Sequence, residues 1–212
     1  MAMSIYRIPI CTQPAQGGPI GETACLTHSW FGGAESPRTA FRLDFCPDVG
    51  FRAVMQSAEI PDPCRFHAED EPVYQDSCME LFMDFFPALS KGYVNIEVNA
   101  AGAMLCMFGP SRAQRRFTRE ITPLRPTAET EILPSGGWQL HLEIPLRFIE
   151  ALYGTADFRP GHTMRGNLYK CGDKTARPHW GSWNSLGEHP IDFHQPETFG
   201  ELVLDEAGFP LE

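Results

Sequence analysis

Residues 72–99 contain two runs in which apolar and polar side chains alternate, separated by a break at 85–92 that is rich in Pro, Ser and Gly. Side chains of a β-strand point alternately to the two faces of a sheet, so a period of two predicts a strand. The break is long enough to reverse the chain, and the segment therefore predicts an antiparallel hairpin with two different faces. One face is apolar, with Met79, Leu81, Met83, Val94, Ile96 and Val98; the other is polar and aromatic, with Tyr74, Glu80, Tyr93, Asn95, Glu97 and Asn99.

The same alternation recurs along most of the chain. Residues 39–45 and 51–60 flank a turn containing Pro47, Asp48 and Gly50, which predicts a second hairpin. Residues 146–154 predict the one convincing helix, because Pro145 suits a first helical turn and Gly154 suits a helix end. Further strands are predicted at residues 6–10, 103–108, 124–132, 138–145, 164–171 and 201–204.

About ten strands joined by turns, with one short helix, predict an all-β fold, specifically an antiparallel β-sandwich. The 212 residues contain no internal repeat, low-complexity tract or linker-like segment. We therefore expect a single domain over residues 1–212, long enough to bury a full core.

Composition excludes two classes of partner. The net charge is −10, and the densest basic cluster, within residues 112–119, is followed directly by Glu120. Nucleic-acid binding is disfavoured because charges that would neutralise phosphates are missing. No run of 18 apolar residues occurs, so no membrane span is expected. The first ten residues lack the basic and apolar regions of a signal peptide, and none is expected.

Seven cysteines are present, an odd number, and none forms a CxxC motif. Zinc ligands paired in sequence are therefore not expected. Cys78 and Cys106 fall within predicted strands, where a thiol behaves as a small apolar side chain. Mostly reduced, structural thiols favour a reducing, cytoplasm-like compartment, and localisation is otherwise left open.

The polar-aromatic face of the first hairpin suits a polyhydroxylated ligand, because sugar C–H faces pack on aromatic rings and sugar hydroxyls bond to amides and carboxylates. A loop of about thirty residues, 172–200, is long enough to suggest a functional role. It contains Trp180 and Trp183. The alternative is ordinary packing, since aromatic side chains are amphipathic and common on sheet faces.

Four segments in order resemble family 9 carbohydrate-binding modules, over about residues 36–205. They are VYQDSCMELFMD, YVNIEVNAAG, WQLHLEIPLRFI and the closing stretch that begins RGNLYKC and contains FHQPETFG. The resemblance implies a β-sandwich related to the DOMON group, with a ligand slot between two aromatic rings.

The resemblance also implies site residues. By motif, the two rings would be Tyr74 and Trp183. Tyr74 stands where family members often have Trp, and Glu97 where an Arg can stand, so the sugar specificity is open. The implied polar contacts are Glu80, Glu97 and Asn99, and further along the chain Asn167 and Lys170.

Some family members bind structural calcium. Residues 61–71 are rich in Asp and Glu, but the spacing is not that of an EF-hand and no ligands are assigned. No other cofactor is expected. Because such modules usually accompany a catalytic domain, the resemblance implies a catalytic partner and a role in glycan catabolism; the partner would be a separate chain, or these residues would be a fragment of a longer protein.

A haem-binding redox domain is a second hypothesis, because some DOMON-type relatives hold haem b between a Met and a Lys or His. Met104 or Met107 with Lys170 would be the axial pair. A methionine in a strand is, however, ordinarily a core residue.

A glycan-processing enzyme is a third hypothesis, with Glu80 and Glu97 as paired carboxylates. His179, His189 and His194 lie near Glu188 and Asp192 in the late loop, but no HExxH motif or nucleophile elbow accompanies them. We expect His194 to brace this loop by hydrogen bonding. The sequence therefore favours non-catalytic carbohydrate binding over catalysis.

Overall fold

The computed structural model describes residues 3–11, 19–29, 35–187 and 192–205. Those residues form fourteen strands and one α-helix, α1 (Leu146–Tyr153). In chain order the strands are β1 (Ile5–Ile8), β2 (Ala24–Cys25), β3 (His28–Ser29), β4 (Thr39–Cys46), β5 (Gly50–Ser57), β6 (Cys78–Asp84), β7 (Tyr93–Asn99), β8 (Met104–Gly109), β9 (Arg116–Phe117), β10 (Thr127–Ile132), β11 (Trp138–Pro145), β12 (Thr163–Cys171), β13 (Trp180–Ser182) and β14 (Gly200–Leu204).

The strands form two sheets. Sheet A has the order β1-β14-β12-β6-β7-β8-β9, with β13 beside one end of β12 and β3 beside β13. Sheet B has the order β10-β11-β5-β4-β2. Within the named strands of the described residues, only β1 and β14 pair in parallel. The predicted antiparallel β-sandwich is confirmed, with more strands than expected because several are only two residues long.

The apolar core lies between the two sheets. From sheet A it takes the predicted apolar face of the first hairpin, and from sheet B the inward residues of the second hairpin and β11. Burying alternate side chains of both sheets is how a sandwich forms its core. The predicted inward residues include Phe41, Leu43, Phe45, Phe51, Ala53, Met55, Trp138, Leu140, Leu142 and Ile144, and all are buried.

The first predicted hairpin is β6 paired with β7. Leu81 opposes Ile96 and Glu80 opposes Glu97, so the apolar and polar sets occupy opposite faces as expected. The outer, polar-aromatic face is itself largely covered. A second apolar cluster lies on it, which includes Phe82 and Tyr169 from the sheet and Val73, Leu186, Phe193 and Phe199 from the covering segments.

The predicted helix is confirmed as α1. It follows Pro145 and ends at Gly154, whose φ of 75° is the left-handed conformation that a glycine adopts readily. The Tyr153 hydroxyl donates to the Gly92 carbonyl at 2.8 Å, which ties the helix to the turn before β7. No helix in the described ranges is long and apolar enough to cross a membrane.

One pair of cysteines departs from the expectation of reduced thiols. Cys11 and Cys46 form a disulfide, with Cα atoms 5.0 Å apart. The other five cysteines are free, as predicted. Three of those, Cys78, Cys106 and Cys171, are buried in sheet A.

Candidate functional site

A cleft with a cavity volume of about 150 Å³ opens on the outer face of sheet A. Its floor is built by four strands, with Cys171 from β12, Glu80 from β6, Glu97 from β7 and Leu105 and Met107 from β8. The sheet register puts Glu80 directly opposite Glu97, and Glu97 opposite Leu105, so the floor is one continuous row of side chains.

Two partly exposed aromatic rings line the cleft, those of Tyr74 and Trp180. Tyr74 lies in a single 3₁₀ turn, Val73–Gln75, just before β6. Trp180 begins β13 opposite Cys171, which places its ring over the outer face of the sheet. The indole N–H donates to Asp173 Oδ1 at 2.6 Å and so holds the ring in one orientation.

The two floor carboxyls are almost fully buried, with 2% of Glu80 and 3% of Glu97 exposed. Burial is the main cause that raises the pKa of Glu97 to about 7, against the opposing pull of the Arg115 guanidinium. Burial likewise raises the pKa of Glu80 well above its usual range, and the neighbouring Cys171 and Glu97 add to the shift. Desolvation disfavours the charged form of a carboxyl, so burial in the floor of the cleft favours the neutral form of both groups.

The hydrogen bonds of Glu97 leave one oxygen unoccupied. Oε1 accepts from Asn95 Nδ2 at 2.9 Å and lies 4.0 Å from Arg115 Nη1. Oε2 is buried and has no hydrogen-bond partner within the described residues. A buried polar atom without a partner is costly, so this oxygen is available to a group that enters the cleft.

The rim of the cleft is charged and aromatic. Arg115 Nη1 donates to Asn95 Oδ1 at 2.9 Å, and Arg112 forms an exposed ion pair with Asp192 at 3.1 Å. Phe193 packs face to face on Tyr169, with ring centroids 4.1 Å apart. Both charge signs therefore meet around an aromatic opening.

Three of the seven predicted site residues line this cleft: Tyr74, Glu80 and Glu97. The other four lie elsewhere. Asn99 is fully buried and braces the turn that follows β7, where its Oδ1 accepts from the Ala103 N–H at 3.0 Å. Its Nδ2 donates to the Phe66 carbonyl at 2.8 Å, which secures a covering segment.

Asn167 lies on the outer face of β12, where it fastens the late loop to the sheet. Its Oδ1 accepts from the Asn184 N–H at 2.8 Å, and its Nδ2 donates to the Asn184 carbonyl at 3.0 Å. Both ends of the amide are thus used within the protein, and Asn167 does not line the cleft.

Lys170 also differs from the prediction that it contacts the ligand. It opposes Met79, an inward residue of β6, so its side chain leaves the opposite face from the cleft. The ammonium is fully buried, 2.7 Å from Glu59 Oε2 and 2.9 Å from His179 Nε2, and it donates to the Cys171 carbonyl at 2.8 Å. These contacts make Lys170 part of an internal polar network.

Trp183 is the clearest correction. Its ring lies in the core between the sheets, edge-on to Phe41 at 5.8 Å and to Tyr6 at 6.4 Å. The tryptophan that the late loop contributes to the cleft is Trp180. Sequence alternation would have separated the two tryptophans, because residues three apart in an extended chain point to opposite faces. Alternation alone does not say which of them faces the core.

Several cleft residues were missed at the sequence level, above all Arg112, Arg115 and Asp173. The arginine-rich segment at 112–119 was evident but carried no strand or helix pattern. Asp173 lies two residues beyond the end of β12, and its carboxylate accepts a hydrogen bond from the Trp180 indole. That contact depends on tertiary pairing rather than on a local motif.

The proposed haem ligands do not come together. Met107 lines the outer cleft, whereas Lys170 leaves the inner face. Met104 is an inward core residue, three strands away from Lys170 in the same row, which is roughly 14 Å at ordinary strand spacing. Neither Met104 nor Met107 therefore lies against Lys170.

The late-loop histidines also separate. His194 Nδ1 is 2.9 Å from the Tyr93 hydroxyl, and its ring stacks on Phe82 at 4.7 Å, so the predicted brace is confirmed. Burial, and then the charges of Arg115 and Arg112, lower the pKa of His194 to about 3. His179 belongs to the Lys170 network. Glu188 and His189 lie outside the described residues.

The acidic segment at 61–71 does not suit calcium. Arg119 and Arg125 pair with the Asp70 carboxylate, and one oxygen of Glu71 accepts two backbone N–H groups. Calcium needs six to eight oxygen ligands, and here the carboxylates are neutralised by arginine or used by the backbone. Calcium binding has no support from this segment.

The sequence profile of carbohydrate-binding family 9 matches residues 36–204. This is most of the chain and nearly the range over which the motifs were recognised. The chain belongs to carbohydrate-binding family 9. A comparison with curated protein sequences finds no match.

Solved structures share the fold. A candidate carbohydrate-binding protein from Bacteroides uniformis is similar with a TM-score of 0.75 and 22% identity, over 96% of this chain and 100% of that one. A family 9 module from Caldicellulosiruptor kristjanssonii in complex with cellotriose has a TM-score of 0.67 and 14% identity, over 99% and 100%. A family 9 module from the same organism in complex with glucose has a TM-score of 0.71 and 14% identity, over 99% of this chain and 98% of that one. At these identities the similarity shows the fold alone.

Proposed function

We propose that the chain is a non-catalytic carbohydrate-binding domain that takes the end of a neutral mono- or oligosaccharide into the outer-face cleft. The observation that carries the proposal is the meeting of two partly exposed rings, Tyr74 and Trp180, with two buried carboxyls, Glu80 and Glu97, in one cleft. Family membership supports it, as do the sugar complexes of the structurally similar Caldicellulosiruptor module.

The chemistry of recognition follows from the cleft. The C–H face of a pyranose packs on an aromatic ring, and the ring of Trp180 is already oriented by Asp173. Sugar hydroxyls would donate to Glu97 Oε2, which is otherwise without a partner, and the Arg115 guanidinium would donate to a hydroxyl oxygen. Affinity would be modest, because each protein–sugar hydrogen bond replaces one to water.

Titration calorimetry with glucose, xylose, cellobiose and cellotriose tests the proposal. We expect saturable heat with at least one sugar and its loss in Trp180→Ala and Tyr74→Ala. Trp183→Phe is the matched control, because it changes an aromatic residue of the same loop that lies in the core. The absence of heat with every sugar, or equal binding by Trp180→Ala, would contradict the proposal.

Catalysis is the second candidate, because Glu80 and Glu97 oppose each other on adjacent strands. A retaining glycosidase needs one ionised nucleophile and one protonated acid, with carboxyl groups about 5 Å apart. Here burial raises the pKa of both carboxyls, whereas an acid–nucleophile pair needs environments that push the two pKa values apart. Turnover of aryl glycosides by the wild type that Glu80→Gln abolishes would favour an enzyme; binding without turnover supports the binding domain.

A role in glycan catabolism would require a catalytic partner, which a separate chain can supply. In that arrangement the domain would hold a polysaccharide end while the partner cleaves it. Sugar release from an insoluble glucan by an endoglucanase, with and without added chain, tests this role. We expect faster release with wild type than with Trp180→Ala; equal rates would refute the role while leaving sugar binding untouched.

A further inference from the structure

Two cysteines that are far apart in sequence meet at the floor of the cleft. Cys171 on β12 opposes Cys78 on β6, and Glu80 lies two residues further along β6 on the same outer face. The three possible ligand atoms all lie within 4.8 Å of one another. The Cys171 thiol donates to Glu80 Oε1 at 2.9 Å.

The cluster is buried but reachable. Cys78, Cys171 and Glu80 are each no more than 2% exposed, yet Cys171 and Glu80 line the cleft. A cation that entered by the cleft would be held from below by the sheet and would keep one side open. Such an arrangement, with three protein ligands and an open position, is common for zinc in reactive sites.

A second observation points to a ligand at the same place. Glu97 opposes Glu80 across the β6–β7 pair and lines the cleft, and its buried Oε2 has no hydrogen-bond partner within the described residues. Glu97 is not one of the three residues whose ligand atoms lie within 4.8 Å of one another, so its oxygen would reach a bound cation through a water molecule.

We propose that Cys78, Cys171 and Glu80 form a site for a thiophilic divalent cation of the zinc class, with its remaining position facing the cleft. Two sulfurs and one carboxylate suit a borderline-soft, tetrahedral ion, whereas calcium and magnesium prefer oxygen alone. On binding, two S–H protons and any carboxyl proton pass to solvent as the metal–ligand bonds form, and no oxidation state changes.

No CxxC motif marks this site, because Cys78 and Cys171 pair across two neighbouring strands. The other described group with suitable ligand types is Cys11, Asp44 and Cys46, and its two sulfurs are already joined in the disulfide. The inference does not depend on sugar binding, since it rests on the thiols beneath the cleft.

Metal binding to tag-free, chelator-treated protein under a thiol-free reductant tests the site. We expect one zinc ion per chain by elemental analysis and competition titration. Cys78→Ala and Cys171→Ala should lower zinc affinity by at least about tenfold. Cys106→Ala is the matched control, because Cys106 is an equally buried strand cysteine on the opposite face of sheet A, and it should bind as the wild type does.

Cobalt substitution of the wild type makes the test independent of variant folding. Co²⁺ should produce sulfur-to-cobalt charge-transfer bands and the visible spectrum of a tetrahedral ion. Absence of these bands, or unchanged zinc affinity in a folded Cys78→Ala protein, would overturn the site. Sugar titration of the chelator-treated protein is measured separately, so failure of the metal site and failure of sugar binding are distinguishable.

Discussion

Trp180 and Trp183 lie on opposite faces of sheet A, although they are only three residues apart in the late loop. The Trp180 indole donates to Asp173 above the cleft, whereas the Trp183 ring meets Phe41 edge-on in the core. Two tryptophans of one short segment therefore lie in separate environments, the first in the wall of the cleft and the second in the core. Substitutions at the two positions should affect different measurements.

Trp183→Ala should destabilise the fold. Removing a buried tryptophan deletes its packing and leaves a cavity, which typically costs about 3–5 kcal/mol. Urea unfolding should show this loss, with a smaller loss for Trp183→Phe. A change below about 1 kcal/mol in Trp183→Ala would contradict the core position of the ring, since such values are typical of surface substitutions.

Sugar affinity should rise as the pH increases through about 7, the pKa of Glu97. Above that pH the ionised carboxylate accepts charge-assisted hydrogen bonds from sugar hydroxyls, which are stronger than neutral ones. The expected gain is about 1 kcal/mol, or about fivefold in affinity.

Calorimetric titrations at pH 6 and pH 8 measure this gain. Glu97→Gln keeps the shape but does not titrate, so its affinity should be nearly independent of pH. An unchanged pH dependence in Glu97→Gln would show that another group is responsible.

His194 should make the fold less stable in acid. Its folded pKa of about 3 lies below the value of about 6.5 expected for an unfolded chain. The unfolded state therefore binds the additional proton, and the free energy of unfolding falls as pH drops from about 6.5 towards 3. The slope from this group is at most about 1.4 kcal/mol per pH unit.

Urea unfolding between pH 7.5 and pH 5 isolates this contribution when the wild type is compared with His194→Gln. The variant should lose less stability on acidification than the wild type. Equal losses would mean that His194 does not remain neutral in the fold.

Lys170→Met should be strongly destabilising. It leaves Glu59 without the ammonium that lies 2.7 Å away in a buried network. Breaking a buried ion pair from one side costs about 3–5 kcal/mol. Lys174→Met, which changes an exposed lysine, serves as the control and should be close to neutral in thermal unfolding. A small effect at Lys170 would show that the network is dispensable.

Local alternation was sufficient to predict the long strands and the faces of most of their side chains. Glu80 and Glu97 were placed on the outer face by the period of two, and the register of β6 with β7 confirms it. The same rule puts Lys170 on the inner face, because it is two residues from the inward Leu168, whereas the family motif implies a contact with the ligand.

The remaining differences arise from loops and cross-strand pairing. The family motifs imply that the Asn99 and Asn167 amides bind sugar hydroxyls. In the structure, backbone groups of the protein bond to the amide oxygen and the amide nitrogen of each side chain. Cys78 and Cys171 are 93 residues apart and meet only because β6 and β12 are neighbours. No local pattern contains that information.

The most direct test of the central claim is calorimetric titration of cellotriose and glucose into wild type, Trp180→Ala and Trp183→Phe under one condition. Binding in the outer-face cleft predicts saturable heat for the wild type and for Trp183→Phe, and none for Trp180→Ala. Undiminished binding by folded Trp180→Ala, or selective loss in folded Trp183→Phe, would contradict it.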